Sequence, residues 1–400
     1  PTCICRWNDR LGAISMTVIL GGSGATNPPL IPDVLLTVST TWSPPYKIKA
    51  LVRCFGGGGS GALAQTNVSD KCWAGSGGGA GEHAGSILEL DPSVTYTVVV
   101  GAGGLAKYAT LTVGAVGNAG GNTSFAGSDV TTITANGGQG GTSLQMTTDS
   151  TAYSLSGAAG GAGGAGELYR HTGGAGGAIT KPAGSNNVID NALCTGGGGV
   201  GLFNTGFAGG AITWVTSASN NRAIATGGGG VNGAGGLVNT DSTNYHTTWG
   251  GSSFGPAPNN INALTTPGFG TTNNQQTIEP SADAWESNID FWNGGSLLER
   301  VNHTFQQSYG ALSPPGTGGM GRNGNNFTYS YGTGATLFAG GGAIASPSTA
   351  FPNMYQFMMG GKLGGGGGCG GMQGAGGSKA AYSGMGGHGG VLIEMLERIV

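Results

Sequence analysis

The sequence predicts a mainly β protein, an antiparallel β-sandwich-like core with packed polyglycine-II helices and long irregular loops. Three observations predict it. Glycine supplies 88 of the 400 residues, about three times its usual share of roughly 7%. The glycines recur at every third position in several stretches. Between those stretches lie short segments in which apolar and polar residues alternate, the period of a half-buried strand.

Composition decides first between order and disorder. Glycine at this level without a period usually signals a disordered chain. Here hydrophobic residues make up 38%, charged residues only 8%, and the net charge is −3. That leaves enough apolar surface for a core and too little charge for self-repulsion to keep the chain extended. The 15 basic residues are scattered singly, which excludes the phosphate-facing patch that nucleic-acid binding needs. No apolar run reaches the roughly 18 residues of a membrane-spanning helix. Residues 11–22 are too short and lack the basic flank and cleavage site of a signal peptide. Pro1-Thr2 reads as a start that has lost its initiator Met, so synthesis in the cytoplasm without a signal peptide is expected.

The period of three runs through Gly157, Gly160, Gly163 and Gly166, and through Gly227, Gly230, Gly233 and Gly236. It is longest through Gly365, Gly368, Gly371, Gly374 and Gly377. Three residues per turn is the period of the polyproline-II conformation, which makes no internal hydrogen bonds. Its N–H and C=O groups must therefore be satisfied by neighbours. Glycine on the contacting edge lets neighbouring backbones come close enough to bond. Collagen needs an unbroken repeat rich in Pro, whereas these runs are short and nearly Pro-free. Several short polyglycine-II helices from one chain, packed side by side, are the expectation.

The strand segments follow in chain order. Residues 12–20 read as a strand. In residues 46–55, Tyr46, Ile48, Ala50, Val52 and Cys54 share one face, and Lys47, Lys49, Leu51, Arg53 and Phe55 the other. Residues 94–100 place Val94, Tyr96, Val98 and Val100 together, and residues 130–135 form another strand. Residues 391–400 read as a closing strand or a short helix, the strand being favoured because the glycines of 384–390 lead directly into it.

These residues carry a resemblance. The order TWSPPYKIKALVRCFGGGGSG, DPSVTYTVVVGAGG, GGNTSFAGS and ITANGGQGG, with the ending GMGGHGGVLIEM, resembles the glycine-rich domain of bacteriophage tail-fibre, minor tail and receptor-binding (adhesin) proteins. It covers residues 35–141 and 384–397. The middle of the chain is similar in style to phage adhesins built as polyglycine-II sandwiches. The implied organisation is an N-terminal attachment segment (1–30), a glycine-rich β domain (31–141), polyglycine-II layers with variable loops (142–383) and a closing run and strand (384–400).

Recognition is expected in the aromatic, Asn- and Thr-rich stretches between the runs, because binding residues concentrate on loops held by a rigid scaffold. Candidates for recognition or subunit contact are Tyr245, Trp249, Trp285, Trp292, Tyr329 and Tyr331. Residues 280–312 lack the glycine period, and Trp285, Ile289 and Trp292 fall on one face of a short helix predicted there. The plainer reading makes these aromatics the conventional cores of a protein otherwise poor in side chains. Cys3, Cys5, Cys54, Cys72, Cys194 and Cys369 are an even number that can pair in many ways. They are either buried thiols or staples that close once the particle leaves the reducing cytosol.

Catalytic signals are weak. GxGxxG-like matches are expected by chance at this glycine content, and none opens a helix after a strand. The histidines show no HxH or HExxH spacing. Glu82-His83 reads as a surface pair, and Asp283, Glu286 and Asp290 as a solvated helix face. No enzyme activity, cofactor or metal is expected. The function expected is a virion tail-fibre or tail-tip protein that attaches to a host surface glycan or an outer-membrane or cell-wall receptor. It would associate with itself, as a homotrimer, and with other virion proteins, without nucleic acid and without membrane insertion. A purely structural virion subunit (collar, decoration or fibre shaft) and a non-phage extracellular polyglycine-II filament protein are the alternatives.

Overall fold

The computed structural model describes residues 33–66, 72–109, 114–147, 151–183, 192–214, 223–240, 322–323, 335, 337–346, 358–373 and 381–399. The expected strand at 12–20 and the expected helix within 280–312 lie outside them. Among the described residues the fold is mainly β, with no helix longer than a single turn. It has three levels: a sandwich at the base, a lattice of glycine runs above it, and a crown of short strands.

The base forms where the alternation is strongest. The strand Ile48–Phe55 is flanked by Gly390–Arg398 and His83–Leu90, all antiparallel, with Val34–Leu36 and Tyr169–His171 at the edges. The second sheet runs Val130–Ala135, Thr123–Gly127, Tyr96–Val99, Thr40–Trp42, again antiparallel. Ile48, Ala50, Val52 and Cys54 point inward as the alternation requires, and meet Tyr96, Val98, Phe125 and Ile133 from the facing sheet. Tyr96 stacks on Phe125 at a centroid distance of 5.1 Å. Its hydroxyl donates to Asp129 and accepts from the Asp91 amide, so the one polar atom of this ring is satisfied inside an apolar core.

Each long base strand adjoins a glycine run, and the runs bond to one another mainly through their backbones. Along residues 56–62 the donors change neighbour at every residue. Gly56 N donates to Glu82 O, Gly57 N to Gly121 O, and Gly58 N to Gly387 O. The cycle then repeats with Gly59 N to Gly79 O, Ser60 N to Asn118 O, Gly61 N to Gly384 O, and Ala62 N to Ser76 O. Each third residue therefore returns to the same neighbouring run. The carbonyls of this run accept from other neighbours, Gly138 N, Gly104 N, Gly367 N and Gly141 N. Residues 76–82 repeat the pattern: amides 76, 79 and 82 bond to Thr142, Gln139 and Asn136, and amides 78 and 81 to Gly367 and Gly364.

This bonding explains the glycines. A Cβ on Gly58 would overlap the carbonyl of Gly365, one on Gly59 that of Gln139, and one on Gly79 that of Ala159. Their φ angles are outside the left-handed region, so the requirement is close approach and not backbone freedom. Gly163 is the contrast. It has a φ of 82°, and a Cβ there would make only an ordinary contact, 3.9 Å from Asn136 Nδ2.

The crown differs from the antiparallel expectation. The strands Cys72–Gly75, Ala192–Cys194 and Ala223–Ala225 pair in parallel, with Ser143–Met146 antiparallel at the edge. Ile179–Lys181, Ile212–Trp214 and Val238–Thr240 are also parallel. So are Arg322–Asn323, Ile344–Ser346, Gly370–Gln373 and Leu63–Thr66. The reason lies in the lattice. Crown strands such as Leu63–Thr66 after the run 56–62 and Gly370–Gln373 after the run 364–369 extend runs, so runs that point the same way deliver parallel strands.

Gly59→Ala is expected to lower stability by at least about 3 kcal/mol, because backbone must move on two runs to admit the methyl. Gly163→Ala should cost only about 1 kcal/mol, the left-handed φ being its sole penalty. Urea unfolding midpoints of the two variants check the difference.

Candidate functional site

The crown is the candidate site because the chain's connections gather there. The strand Leu63–Thr66 leaves the lattice at this end and Cys72–Gly75 re-enters it. The same holds for Ser143–Met146 and Tyr153–Leu155, for Ile179–Lys181 and Ala192–Cys194, and for Ile212–Trp214 and Ala223–Ala225. Val238–Thr240 and Arg322–Asn323, the nearest described strands on either side of residues 241–321 in sequence, are both crown strands, and both run outward from the lattice.

Two small cores hold these strands together. Ala74, Met146, Leu155, Ile179, Leu193, Ile212 and Ile224 form one, and Ala64, Cys194, Ala225, Ala343, Ala345 and Cys369 the other. Where crown meets lattice, hydroxyls replace backbone partners. Thr195 Oγ1 donates to Gly177 O at 2.7 Å and accepts from Gly77 N at 3.2 Å. Thr226 Oγ1 donates to Gly210 O at 2.6 Å and accepts from Gly196 N at 3.2 Å. Ser76 Oγ accepts from Thr142 N, and Ser383 Oγ from Lys107 N. The signal was in the sequence: Ser76, Thr195, Thr226 and Ser383 each stand directly before a run that descends from the crown.

Tyr108 and Tyr382 are cross-strand partners at the crown with ring centroids 4.6 Å apart, and Tyr108 is exposed. The sequence offered no period or motif to single them out. Lys181 is buried with Nζ donating to Thr151 O at 2.9 Å, near the ring of Tyr153.

Residues 36–192 match the model of a family described as a glycine-rich domain. No curated protein sequence matches the chain. The matched glycine-rich domain includes the central run 56–62 and the runs 76–82, 136–142, 156–165 and 172–178, together with most of the base.

The candidate recognition residues Tyr245, Trp249, Trp285, Trp292, Tyr329 and Tyr331, and Cys3 and Cys5, lie outside the described residues. Cys54, Cys194 and Cys369 are buried. Cys54 sits in the base core, where burial pushes its thiol far above the ordinary range. Cys194 and Cys369 come together in the crown, their sulfurs 3.0 Å apart. The backbone of Cys72 joins a crown strand.

Glu82-His83 is not a surface pair. Both residues are buried where the run 76–82 enters the base. Glu82 Oε2 accepts from Asn136 N at 3.0 Å and Gly164 N at 2.9 Å, capping two neighbouring runs. His83 stacks on Phe55 at 4.4 Å and meets Tyr169 edge-on at 4.8 Å. Its Nδ1 lies 3.0 Å from Gly201 O and its Nε2 3.0 Å from the Tyr169 hydroxyl. A carbonyl can only accept, so Nδ1 carries the proton and Nε2 accepts from Tyr169. Burial, which outweighs the Gly201 carbonyl, lowers the His83 pKa to about 3, and the charges of Arg53 and His171 push the same way. Burial raises Tyr169 to about 12. Both groups stay neutral near pH 7, and the pair works as a buried clasp. The sequence misled here because a glycine run usually marks a solvent-exposed stretch, whereas this one is interior.

The unfolded chain binds a proton at His83 near pH 6.5 that the folded chain refuses until about pH 3. The stability tied to neutral His83 is therefore complete above pH 6.5 and is lost as pH falls. Wild type should lose roughly 2 kcal/mol from this group between about pH 6.5 and pH 5. His83→Gln should be less stable at pH 7 but show a flatter acid slope. Thermal unfolding across that range checks it.

Proposed function

We propose that this chain is a virion protein of the tail-fibre or tail-tip kind, a rigid stem of polyglycine-II helices that presents variable connections to a host surface. The observation that carries the reading is the change of hydrogen-bond partner at every residue of 56–62, with return at the third. Successive N–H groups about 120° apart are what a chain with three residues per turn provides. A seven-residue run in that conformation spans roughly 20 Å, a length that separates the base from the crown.

The separation of poles supports a division of labour. Val34–Leu36 pairs with the C-terminal strand in the base, so the N-terminal segment joins the fold there, on the side suited to attachment. The long connection at 241–321, with its aromatic, Asn- and Thr-rich stretches, is flanked by crown strands. Tyr108 adds an exposed ring at the same pole. Aromatic faces beside polar groups suit a glycan or a protein receptor. Association into a homotrimer belongs to this reading, since virion assemblies of this type are symmetric. It is a binding role without catalysis or cofactor.

Immunogold electron microscopy of the producing culture, with antibody against residues 280–312, tests the proposal. Gold is expected at distal tail tips. Gold spread over capsids, collars or fibre shafts would replace it with the purely structural role. Gold on filaments without phage particles would overturn a virion function altogether.

A further inference from the structure

The two thiols buried in the crown have no task in the reading above. Cys194 ends the strand Ala192–Cys194, and Cys369 ends the run that leads into Gly370–Gln373. Their backbones are already joined, since Cys369 N donates to Thr195 O at 3.0 Å. Both side chains are fully buried, and Cys369 Sγ lies 3.0 Å from Cys194 Sγ. The slot around them is cut to sulfur size. A Cβ on Gly75 would overlap Cys369 Sγ, and a Cβ on Gly371 would overlap Cys194 Sγ. The same small core includes Ala64, Ala225, Ala343 and Ala345, with Trp73 packed against it. A disulfide needs the sulfurs about 1 Å closer, a shift within reach of side-chain rotation. Cys54 is at the opposite pole, in the base core.

We propose that Cys194 and Cys369 are a redox pair that closes into a structural disulfide, stitching the crown strand Ala192–Cys194 to the run 364–369. The oxidant is a small-molecule disulfide of the glutathione class. One cysteine thiolate attacks it, forming a mixed disulfide and releasing one small thiol. The second cysteine thiolate attacks the mixed disulfide at the protein sulfur and releases the other. The cysteine pair is oxidised by two electrons, and both protons leave on the two released thiols. Because both sulfurs are buried, the reagent reaches them while the crown is still assembling and not in the finished fold. The closed loop contains residues 241–321, part of the segment proposed to face the receptor. The inference does not rest on that role.

The experiment uses the full chain, unfolded under reductant and refolded with either oxidised glutathione or maintained reductant. Digestion without reduction, followed by mass spectrometry, is expected to give a Cys194 peptide joined to a Cys369 peptide, about 2 Da below their summed mass. The oxidised protein should melt roughly 5 °C or more above the reduced one. Cys369→Ala should abolish both the joined peptide and the shift while folding like reduced wild type. If that variant fails to refold, the wild-type peptide map and its reductant-dependent melting decide alone. Recovery of Cys194 and Cys369 as thiols after oxidative refolding, or joined to other cysteines, overturns the proposal.

Discussion

The structure depends on backbone-to-backbone hydrogen bonds made by glycine runs that are neither helix nor sheet. A peptide group buried without a partner is costly, and a run with no internal bonds must find every partner on other runs. That forces the runs to lie at backbone contact, which excludes Cβ atoms wherever a neighbour's carbonyl approaches, as at Gly58, Gly59 and Gly79. Glycine in turn loses more conformational entropy on folding than any other residue, so bonding must be nearly complete for the lattice to persist. The hydroxyls of Thr195 and Thr226 fit this demand. They complete the bonding at the level where the pattern of run against run gives way to strand against strand.

The two poles are built by different physics. In the base, side chains do the work: Tyr96, Phe125, Ile48 and Val52 bury apolar area between two antiparallel sheets. In the crown the strands are too short to be stable by themselves, and their small cores of Ala, Leu and Ile only seal what the lattice has already placed. Polar groups buried between these regimes are kept neutral or fully bonded. His83 remains uncharged between Gly201 and Tyr169, and Glu82 spreads its acceptors over two amides.

Much of this was legible in the sequence, and for physical reasons. The inward face Ile48, Ala50, Val52 and Cys54 could be read because strand periodicity is local. The terminal strand Gly390–Arg398 followed from its apolar run after a glycine stretch. The strand directions of the crown were not legible, since they are inherited from runs that meet only in three dimensions. Glu82 and His83 were misplaced because a charged pair beside glycines looks solvated until the lattice around it is known. The Ser or Thr before the runs that begin at Gly77, Gly196, Gly227 and Gly384 was in view but had no meaning without the bonds it completes. The aromatic segments that drew attention first, from Tyr245 to Tyr331, fall outside the described residues, whereas Tyr108 and Tyr382 carry no sequence signal and yet share the crown.

A β-sheet is bonded in one direction only, and adjacent layers can slide across the apolar seam between them. The run 56–62 instead donates to three neighbours in turn and accepts from others, so its lateral ties point all round. A pull applied at the crown and resisted at the base would load those ties together in shear, with no soft plane along which to part. Such a body transmits tension between its poles like a stiff rod of small cross-section, although the glycine lattice that carries the load is almost entirely backbone.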